Sequence, residues 1–317
     1  MDVVTLGETM VLFTPEISPL MRYAASYSKK FGGAETNVAI GITRLGHKVG
    51  WISRVGQDEF GKAMLSFIRG EGVDVSQVHF DPGAPTGLYF KEVRSGDCVQ
   101  VQYYRKGSAA SRLIPEDISE EYIARAKYLH ITGITPALSN SCYETVIKTI
   151  DLAKKNKVKV VFDPNLRRKL WSEDRAREVL VEIAAKADIV LPGVDEGKFM
   201  FNEDDPEQLG KLFLQLGAKL VVLKVGAKGA YYFTEAKSEL VKGFPVDRVV
   251  DPVGAGDGFA AGFISGLLEN LSIDQAVRKG NAVGAMATMI PGDFEGLPEM
   301  EELDSFMNQT AREDINR

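Results

Sequence analysis

The stretch Asp251-Pro252-Val253-Gly254-Ala255-Gly256-Asp257 runs directly into the apolar segment Gly258-Phe259-Ala260-Ala261-Gly262. This pattern predicts a glycine-rich turn followed by a buried helix. Glycines at positions 254 and 256 let the backbone approach a ligand closely, and the free amides at a helix start attract an anion. The stretch therefore predicts a phosphoryl-binding turn within an α/β fold.

Asp257 closes this turn at the predicted start of the helix. Taken alone, the residue is as readily a helix cap as a catalytic group. A carboxylate beside a phosphate-binding turn repels phosphate, so its presence is explained if it accepts a proton from an attacking hydroxyl. We therefore take Asp257 as the candidate general base, with the amides of Gly254, Ala255 and Gly256 as an anion hole.

Short apolar runs recur along the rest of the chain, and amphipathic segments lie between several of them. The runs cover residues 3–6, 49–53, 128–131, 158–162, 189–191 and 220–223. The amphipathic segments cover residues 37–45, 142–155, 172–186 and 205–216. Strands that alternate with helices predict a mostly parallel sheet with helices on both faces.

Two segments, residues 10–31 and 85–107, break this alternation. The second has period-two patterning on both sides of the turn signal Ser95-Gly96-Asp97, which predicts a hairpin. We expect the two segments to form a small β lid, and an edge hairpin or a dimer contact is an equally good interpretation. The remaining core comprises residues 1–9, 32–84 and 108–310, and residues 311–317 are expected to form a flexible tail.

The composition and charge of the chain argue against several classes of partner and site. The chain has 317 residues, 44% of them hydrophobic, and a formal net charge of -6. That charge argues against nucleic acid or an acidic membrane as partner. The N-terminus lacks the basic start of a signal peptide, and Cys98 and Cys142 have no metal-ligand spacing. We expect a cytoplasmic protein that forms a homo-oligomer through the lid.

Two other glycine-rich segments are candidate ligand sites. The segment from Gly56 to Lys62 has the spacing of a Walker loop, but Ala63 stands where a Ser or Thr is required. Gly32-Gly33-Ala34 precedes a helix that carries Asn37, which suits a tight turn or contacts with substrate hydroxyls. Polar residues that follow predicted strands are Asp163, Asn165, Arg167, Arg168, Glu196, Lys224 and Lys228.

These motifs together resemble those of the ribokinase-like (PfkB) carbohydrate kinases over nearly the whole chain. The first family signature is matched by Gly32, Gly33, Ala34, Asn37, Ala39, Gly46 and Gly56, and the second by residues 251–257. The resemblance implies a three-layer α/β/α sandwich with a mostly parallel central sheet and a small β-sheet lid. It also implies transfer of a phosphoryl group from ATP to a sugar hydroxyl, with Mg²⁺.

Within the family, the similarity is greatest to kinases of 2-keto-3-deoxygluconate, through Glu35, residues 103–109, residues 130–136 and residues 293–296. It implies phosphorylation of the terminal (6-) hydroxyl, with Arg105 and Arg167 as bidentate donors to the substrate carboxylate. The implied substrate contacts are Gly33, Ala34, Asn37, Tyr89, Tyr103, Arg105, Ile134, Arg167, Asp257 and Asp293.

For the nucleotide, the resemblance implies contacts from Asn165, Lys224, Gly226, Lys228, Gly229, Gly254, Gly256 and Asn281. Asp251 and the Val253 carbonyl resemble a monovalent-cation (K⁺) site, and Glu196 resembles the residue linked to Mg²⁺. Gly193 stands where the family has asparagine, and Pro252 where ribokinases have threonine. A kinase of fructose or ribose, a non-catalytic sugar-acid sensor and a dinucleotide oxidoreductase remain as alternatives.

Overall fold

The computed structural model describes residues 1–17, 20–95 and 98–315. Thirteen strands are found in these residues, and they form two sheets. The strands are β1 Val3–Leu6, β2 Met10–Pro15, β3 Tyr27–Gly32, β4 Val49–Gly56, β5 Asp74–Asp81, β6 Leu88–Ser95, β7 Cys98–Tyr104, β8 Tyr128–Thr132, β9 Lys159–Asp163, β10 Ile189–Val190, β11 Leu220–Lys224, β12 Gly229–Phe233 and β13 Ser238–Lys242.

The central sheet has the order β13-β12-β11-β10-β9-β8-β1-β4-β5. Every pairing from β5 to β11 is parallel, and only β12 and β13 add antiparallel pairs at one edge. Parallel strands place their carboxyl ends at one edge of the sheet, where open α/β sheets bind ligands. The mostly parallel central sheet predicted from the sequence is confirmed.

Ten α-helices surround this sheet in the described part of the chain. They are α1 Ala34–Arg44, α2 Glu59–Gly70, α3 Glu120–Ala124, α4 Asn140–Lys155, α5 Glu173–Lys186, α6 Val194–Phe201, α7 Pro206–Leu216, α8 Ala255–Leu268, α9 Ile273–Ala287 and α10 Met300–Ile315. Several starts are capped as expected, since Ser139 and Ser172 accept a backbone N–H of α4 and α5.

Two hydrophobic clusters cover the two faces of the central sheet. Alternate residues of one strand point to opposite faces, so Val161 joins the cluster with α1, α8 and α9 while Val160 joins the cluster with α4 and α5. Trp51 is fully buried, and its indole N–H donates to the Gly7 carbonyl at 3.1 Å. The predicted three-layer sandwich is therefore present.

The second sheet, here called the lid sheet, has the order β3-β2-β6-β7. Strands β6 and β7 pair antiparallel, as the period-two pattern predicts. Gly96 and Asp97 of the predicted turn lie outside the described residues. The lid sheet leads into the layer of helices at Gly32, where β3 ends just before α1 begins.

Strands and helices that sequence patterning missed lie mainly in polar or mixed segments. Strand β5 carries several exposed or half-exposed side chains, and β13 is almost wholly exposed at the sheet edge. Helix α10 continues to Ile315, into the segment predicted as a tail, whose side chains are not described. Within the described ranges, no helix combines the length and apolar character needed to cross a bilayer.

Candidate active site

A cavity of about 400 Å³ opens between the carboxyl ends of the central strands and the lid sheet. Its walls contain most of the residues that the sequence singled out. Those residues are Gly33, Ala34, Asn37, Tyr89, Tyr103, Arg105, Ile134, Asn165, Arg167, Glu196, Lys224, Val253, Gly254, Gly256, Asp257 and Asp293. Sixteen candidates from distant parts of the chain thus surround one space.

A second cavity of about 670 Å³ shares Glu196 and Lys224 with the first. It contains the predicted residues Gly226 and Lys228. Apolar side chains that no motif indicated also form its wall, namely Val194, Val225, Tyr231 and Leu240. Lys224 lies where the two cavities adjoin. The arrangement suits an elongated ligand that has an anionic group beside the lysine and an apolar group in the second cavity.

The glycine-rich turn brings its amides and Asp257 to the first cavity. Gly254 is the N-cap of α8 and has a φ of 83°, in the left-handed region that glycine tolerates. A side chain here would also meet the Asp293 carbonyl oxygen, 2.2 Å from the position of a Cβ. Asp257 lies in the first turn of α8 but makes no side-chain cap, so the capping alternative does not explain it.

Asp257 is held by Asn37 from the start of α1. The Asn37 Nδ2 donates to Asp257 Oδ2 at 2.8 Å. Burial, with smaller contributions from the charges of Asp163 and Asp293, outweighs the opposing effects of Asn37 and Arg167 and raises the pKa of Asp257 to about 7. The carboxyl group can therefore change protonation state near neutral pH, which suits a general base. The sequence predicts Asn37 as a substrate contact, and in the structure its amide also binds Asp257.

The lid sheet contributes Tyr89, whose hydroxyl donates to Asp293 Oδ2 at 2.5 Å. Burial, followed by the charge of Asp293, raises the pKa of Tyr89 well above its ordinary value, so the phenol stays protonated. The ring stacks on Tyr103 with a centroid separation of 5.6 Å. The two tyrosines form a flat wall against which a sugar can pack.

Arg105 differs from its expected role as a free bidentate donor. Its Nε donates to Glu8 Oε2 at 2.7 Å, and its Nη2 lies 2.5 Å from the same oxygen. Glu8 also accepts the Ser108 hydroxyl, at 2.5 Å. A buried arginine needs such a partner because desolvating an unpaired charge is costly. One edge of the guanidinium is therefore committed to the protein.

Arg167 keeps more of its charge available to a ligand. The residue is exposed at the cavity, and its guanidinium makes one 3.4 Å hydrogen bond, to the neighbouring Leu166 carbonyl. It is close enough to Asp257 to lower the pKa of that carboxyl group. Among the described residues, the other three cationic side chains of this cavity pair with carboxylates, so the exposed Arg167 is the side chain best placed to attract a substrate carboxylate.

Lys224 joins the two cavities, where it faces two carboxylates. Its Nζ lies 2.6 Å from Asp163 Oδ2. Burial lowers the pKa of Lys224, but the charges of Asp163 and Glu196 outweigh that effect and raise it. Burial raises the pKa of Glu196, and the Asp163 charge adds to the rise. The lysine therefore remains charged and can meet phosphate oxygens.

Glu196 lies in the first turn of α6, and its side chain also closes the start of that helix. Its carboxylate accepts the Gly193 N–H at 2.7 Å and the Leu166 N–H at 2.9 Å. Its place in the wall fits a Mg²⁺ site of the nucleotide type, because Mg²⁺ commonly takes one or two carboxylates and completes its shell with phosphates and water. No group of three metal-ligating side chains was found among the described residues.

Four predicted site residues line neither cavity: Asp251, Ala255, Gly229 and Asn281. Asn281 is buried, and its Nδ2 donates to the Val241 and Lys242 carbonyls of β13 at 3.0 and 3.2 Å. Its amide thus ties α9 to an edge strand, because a buried amide must find partners. Asp251 lies behind the turn and contacts Lys91.

Glu8, Lys91 and Asp163 line the first cavity and were not among the predicted contacts. The position of each of these residues relative to a predicted strand could have identified it. Glu8 and Asp163 stand at the carboxyl ends of β1 and β9. Lys91 lies two residues after Tyr89 on β6 and therefore faces the same side of the lid sheet.

With this geometry in place, comparisons with known proteins identify the family. The sequence pattern of the pfkB family carbohydrate kinases matches residues 1–300 of the chain. The chain belongs to the pfkB family of carbohydrate kinases. It is 42% identical over 311 residues to the 2-dehydro-3-deoxygluconokinase of Bacillus subtilis, covering 97% of this chain and 96% of the relative.

Solved structures of pfkB kinases share the fold. A putative ribokinase II from E. coli, solved with ATP and Mg²⁺, has a TM-score of 0.90 and 27% identity, covering 97% of this chain and 99% of that chain. A fructokinase double mutant from Vibrio cholerae O395, solved with fructose, ADP and a potassium ion, has a TM-score of 0.86 and 29% identity. It covers 96% of this chain and 98% of that chain. The ribokinase-like sandwich and the carbohydrate kinase class predicted from the sequence are confirmed.

Proposed function

We propose that the protein transfers the γ-phosphoryl group of ATP to the terminal, 6-hydroxyl group of 2-keto-3-deoxygluconate, with Asp257 as the general base. The observation that carries the proposal is the meeting of Asp257, held by Asn37, with the helix-start amides in one cavity. The same cavity contains Arg167 and the tyrosine wall. The similarity to a 2-dehydro-3-deoxygluconokinase supports the choice of substrate.

In the proposed reaction, Asp257 accepts the proton of the 6-hydroxyl as its oxygen attacks the γ-phosphorus. The bond from that phosphorus to the bridging oxygen breaks, and ADP leaves with the electron pair. A carboxyl group with a pKa of about 7 is basic enough to take the proton and is half ionised at neutral pH. The hydrogen bond from Asn37 to Oδ2 holds the carboxylate in place.

The charge that develops on the transferring group is stabilised by fixed donors. The Gly256 amide at the start of α8 and the ammonium of Lys224 face the cavities, whereas the Ala255 N–H donates to the Pro252 carbonyl at 3.4 Å. Glu196 would hold Mg²⁺, which when bound neutralises charge on the phosphates. We place the adenine ring against Tyr231 and Leu240 in the second cavity, whose walls are apolar there.

The preference for a sugar acid is assigned to the two arginines. Arg167 supplies an exposed guanidinium, and Arg105 supplies the edge that Glu8 leaves open. Tyr89 and Asp293 offer a hydroxyl and a carboxylate to sugar hydroxyls. A neutral sugar such as fructose has no carboxylate for Arg167, so it gains less from this site.

The decisive experiment is a coupled ADP-release assay with purified protein. The panel comprises 2-keto-3-deoxygluconate, 5-keto-2-deoxygluconate, fructose and ribose. We expect the first to have the highest kcat/KM. A higher kcat/KM for a neutral sugar would overturn the substrate assignment, and ADP release with none of them would favour a non-catalytic sensor.

The role of Asp257 is tested by Asp257→Asn in the same assay. We expect kcat to fall by about 10²- to 10⁴-fold, because the amide cannot accept the proton. The matched control is Asp274→Asn, which changes an exposed aspartate in the first turn of the next helix, α9. The control should retain wild-type turnover. A wild-type rate in Asp257→Asn would exclude the general base.

We also propose that two copies associate through the lid sheet. Tyr104 on β7 is 59% exposed and Tyr23 beside the sheet is 71% exposed, so two large aromatic side chains face solvent there. Light scattering of the wild-type protein should report a mass above 34.7 kDa. A change of both tyrosines to aspartate should return the mass to that of one chain.

A further inference from the structure

A buried lysine from the lid sheet lies on the carboxylate that the family resemblance assigns to a monovalent cation. The Lys91 Nζ is 2.5 Å from Asp251 Oδ2 and 3.3 Å from Asp293 Oδ1. Lys91 and Asp251 are only 3% and 4% exposed. A buried ion pair at this separation is a permanent part of the site, since removing either partner leaves an uncompensated charge.

Asp251 is fully provided with donors by the protein itself. Its Oδ1 accepts the Val253 N–H at 3.1 Å, and its Oδ2 accepts the Gly292 N–H at 3.2 Å as well as the Lys91 ammonium. These contacts fix the start of the turn that carries Gly254 and Gly256. The carboxylate thus orders the anion hole through its own neighbours in sequence.

These residues do not fit a potassium ion on Asp251. A K⁺ ion there would share one buried carboxylate with the ammonium of Lys91, and two like charges in contact repel strongly where water is excluded. The related fructokinase was solved with potassium. In this chain the charge that such an ion would supply is already present on a side chain.

We propose that the Lys91 ammonium is a built-in monovalent cation, which neutralises Asp251 behind the phosphoryl-binding turn and makes the kinase independent of potassium. Lys91 is a positioning residue because it acts through Asp251 and the turn. The cation arrives on β6, the strand whose Tyr89 donates to Asp293. The lid sheet and the phosphoryl-binding turn are therefore connected by charge as well as by packing.

The first test compares salts on the wild-type protein. ADP release is measured in choline, sodium and potassium chloride at about 100 mM, so that ionic strength is matched. We expect rates in the three salts to agree within about twofold, as ionic strength is the same. A potassium activation of more than about tenfold, the size expected for a missing charge at an anion hole, would overturn the proposal.

The second test uses Lys91→Ala, with Lys29→Ala as its control. In choline chloride we expect the Lys91 variant to lose at least about tenfold in kcat, and potassium to restore most of the loss by filling the vacated position. Lys29 is an exposed lysine on β3 of the same lid sheet, and its variant should behave as wild type. An unchanged rate in Lys91→Ala, or a loss that no alkali ion restores in folded protein, would contradict the assignment.

The activity measurements rest on the proposed function, so a readout without substrate accompanies them. The melting temperature of the wild-type protein should be equal in choline and potassium chloride, whereas that of Lys91→Ala should rise in potassium. If no sugar releases ADP, the proposed function fails while this comparison still tests Lys91. If the variant does not fold, the wild-type comparison decides.

Discussion

The groups around Asp257 have opposite effects on its pKa. Burial and two neighbouring carboxylates favour its neutral form, while the Asn37 amide and the Arg167 charge favour the ionised form. The outcome is a pKa of about 7, far above the ordinary value of 3.8. A base of this strength costs the protein some stability, because the ionised carboxylate is poorly solvated in its cavity.

The pH dependence of the reaction follows from this pKa. Asp257 acts as a base only when ionised, so kcat/KM should fall as pH decreases through about 7 and reach a plateau above it. Initial rates across pH 5 to 9 at low sugar-acid concentration measure the effect. A profile that stays flat down to pH 5 would show that Asp257 is ionised throughout or is not the base.

Arg167 is expected to bind the substrate carboxylate. Arg167→Gln should raise KM for the sugar acid by about tenfold to a hundredfold, the worth of one charge-assisted pair, with a smaller effect on kcat. Arg168→Gln is the matched control, since Arg168 is also exposed but lies 3.5 Å from Glu173 and lines neither cavity. Equal effects of the two substitutions on KM would show that Arg167 does not bind the substrate carboxylate.

At the scale of elements, the site is assembled where the starts of α1 and α8 meet. Asn37 in the first turn of α1 donates to Asp257 in the first turn of α8. The hydrogen bond favours the ionised carboxylate and therefore holds the pKa of Asp257 down. Helix packing thus sets the strength of the base.

Removal of that hydrogen bond should move the pH profile. In Asn37→Ala we expect the acidic limb of kcat/KM to shift to higher pH, because the carboxylate loses a donor that lowers its pKa. The pH at which kcat/KM falls does not depend on the absolute rate, so the shift can be measured even if the variant is less active. A limb at the wild-type position would mean that Asn37 does not tune Asp257.

The start of α8 also depends on a glycine that other residues cannot replace. Gly254→Ala adds the strain of a left-handed φ and a collision with the Asp293 carbonyl. We expect a loss of about 1–3 kcal/mol in unfolding free energy and a kcat reduced by about tenfold or more, because the amides of the anion hole shift.

The variant Gly46→Ala separates the effect of backbone strain from that of the collision with the Asp293 carbonyl. Gly46 has a φ of 87° but no heavy atom within 4 Å of a Cβ position, so this variant carries the backbone strain alone. Its cost should be about 1 kcal/mol with unchanged turnover. Urea unfolding and the ADP assay measure both variants, and equal activity losses would refute a local effect at the anion hole.

For the whole molecule, the raised pKa of Asp257 links function to stability. The folded protein binds this proton more tightly than the unfolded chain, so the contribution to stability is complete at low pH and is lost as pH rises toward 7. Asp257→Asn lacks this dependence. Its melting temperature should exceed that of the wild type by a few degrees at pH 8 and by less at pH 5. A gap that is the same at both pH values would contradict the linkage.

Local sequence patterns predicted the phosphoryl-binding turn, the candidate base and the α/β frame that supports them. Glycines before a predicted helix indicate a close backbone approach and free amides, and both features depend on neighbours in sequence. Period-two and helical patterning indicated the parallel sheet and the lid hairpin for the same reason. Even so, polar edge strands such as β5 and β13 escaped detection, because exposed strands carry no continuous apolar run.

The partner of each charged side chain depends on the packing of elements that are far apart in sequence. Arg105 pairs with Glu8, 97 positions away, and Lys91 pairs with Asp251, 160 positions away. Asn281, predicted to contact the nucleotide, donates its amide Nδ2 to the backbone of β13. The partners of buried charges and buried amides depend on which elements pack together. The spacing of residues along the chain does not predict that packing.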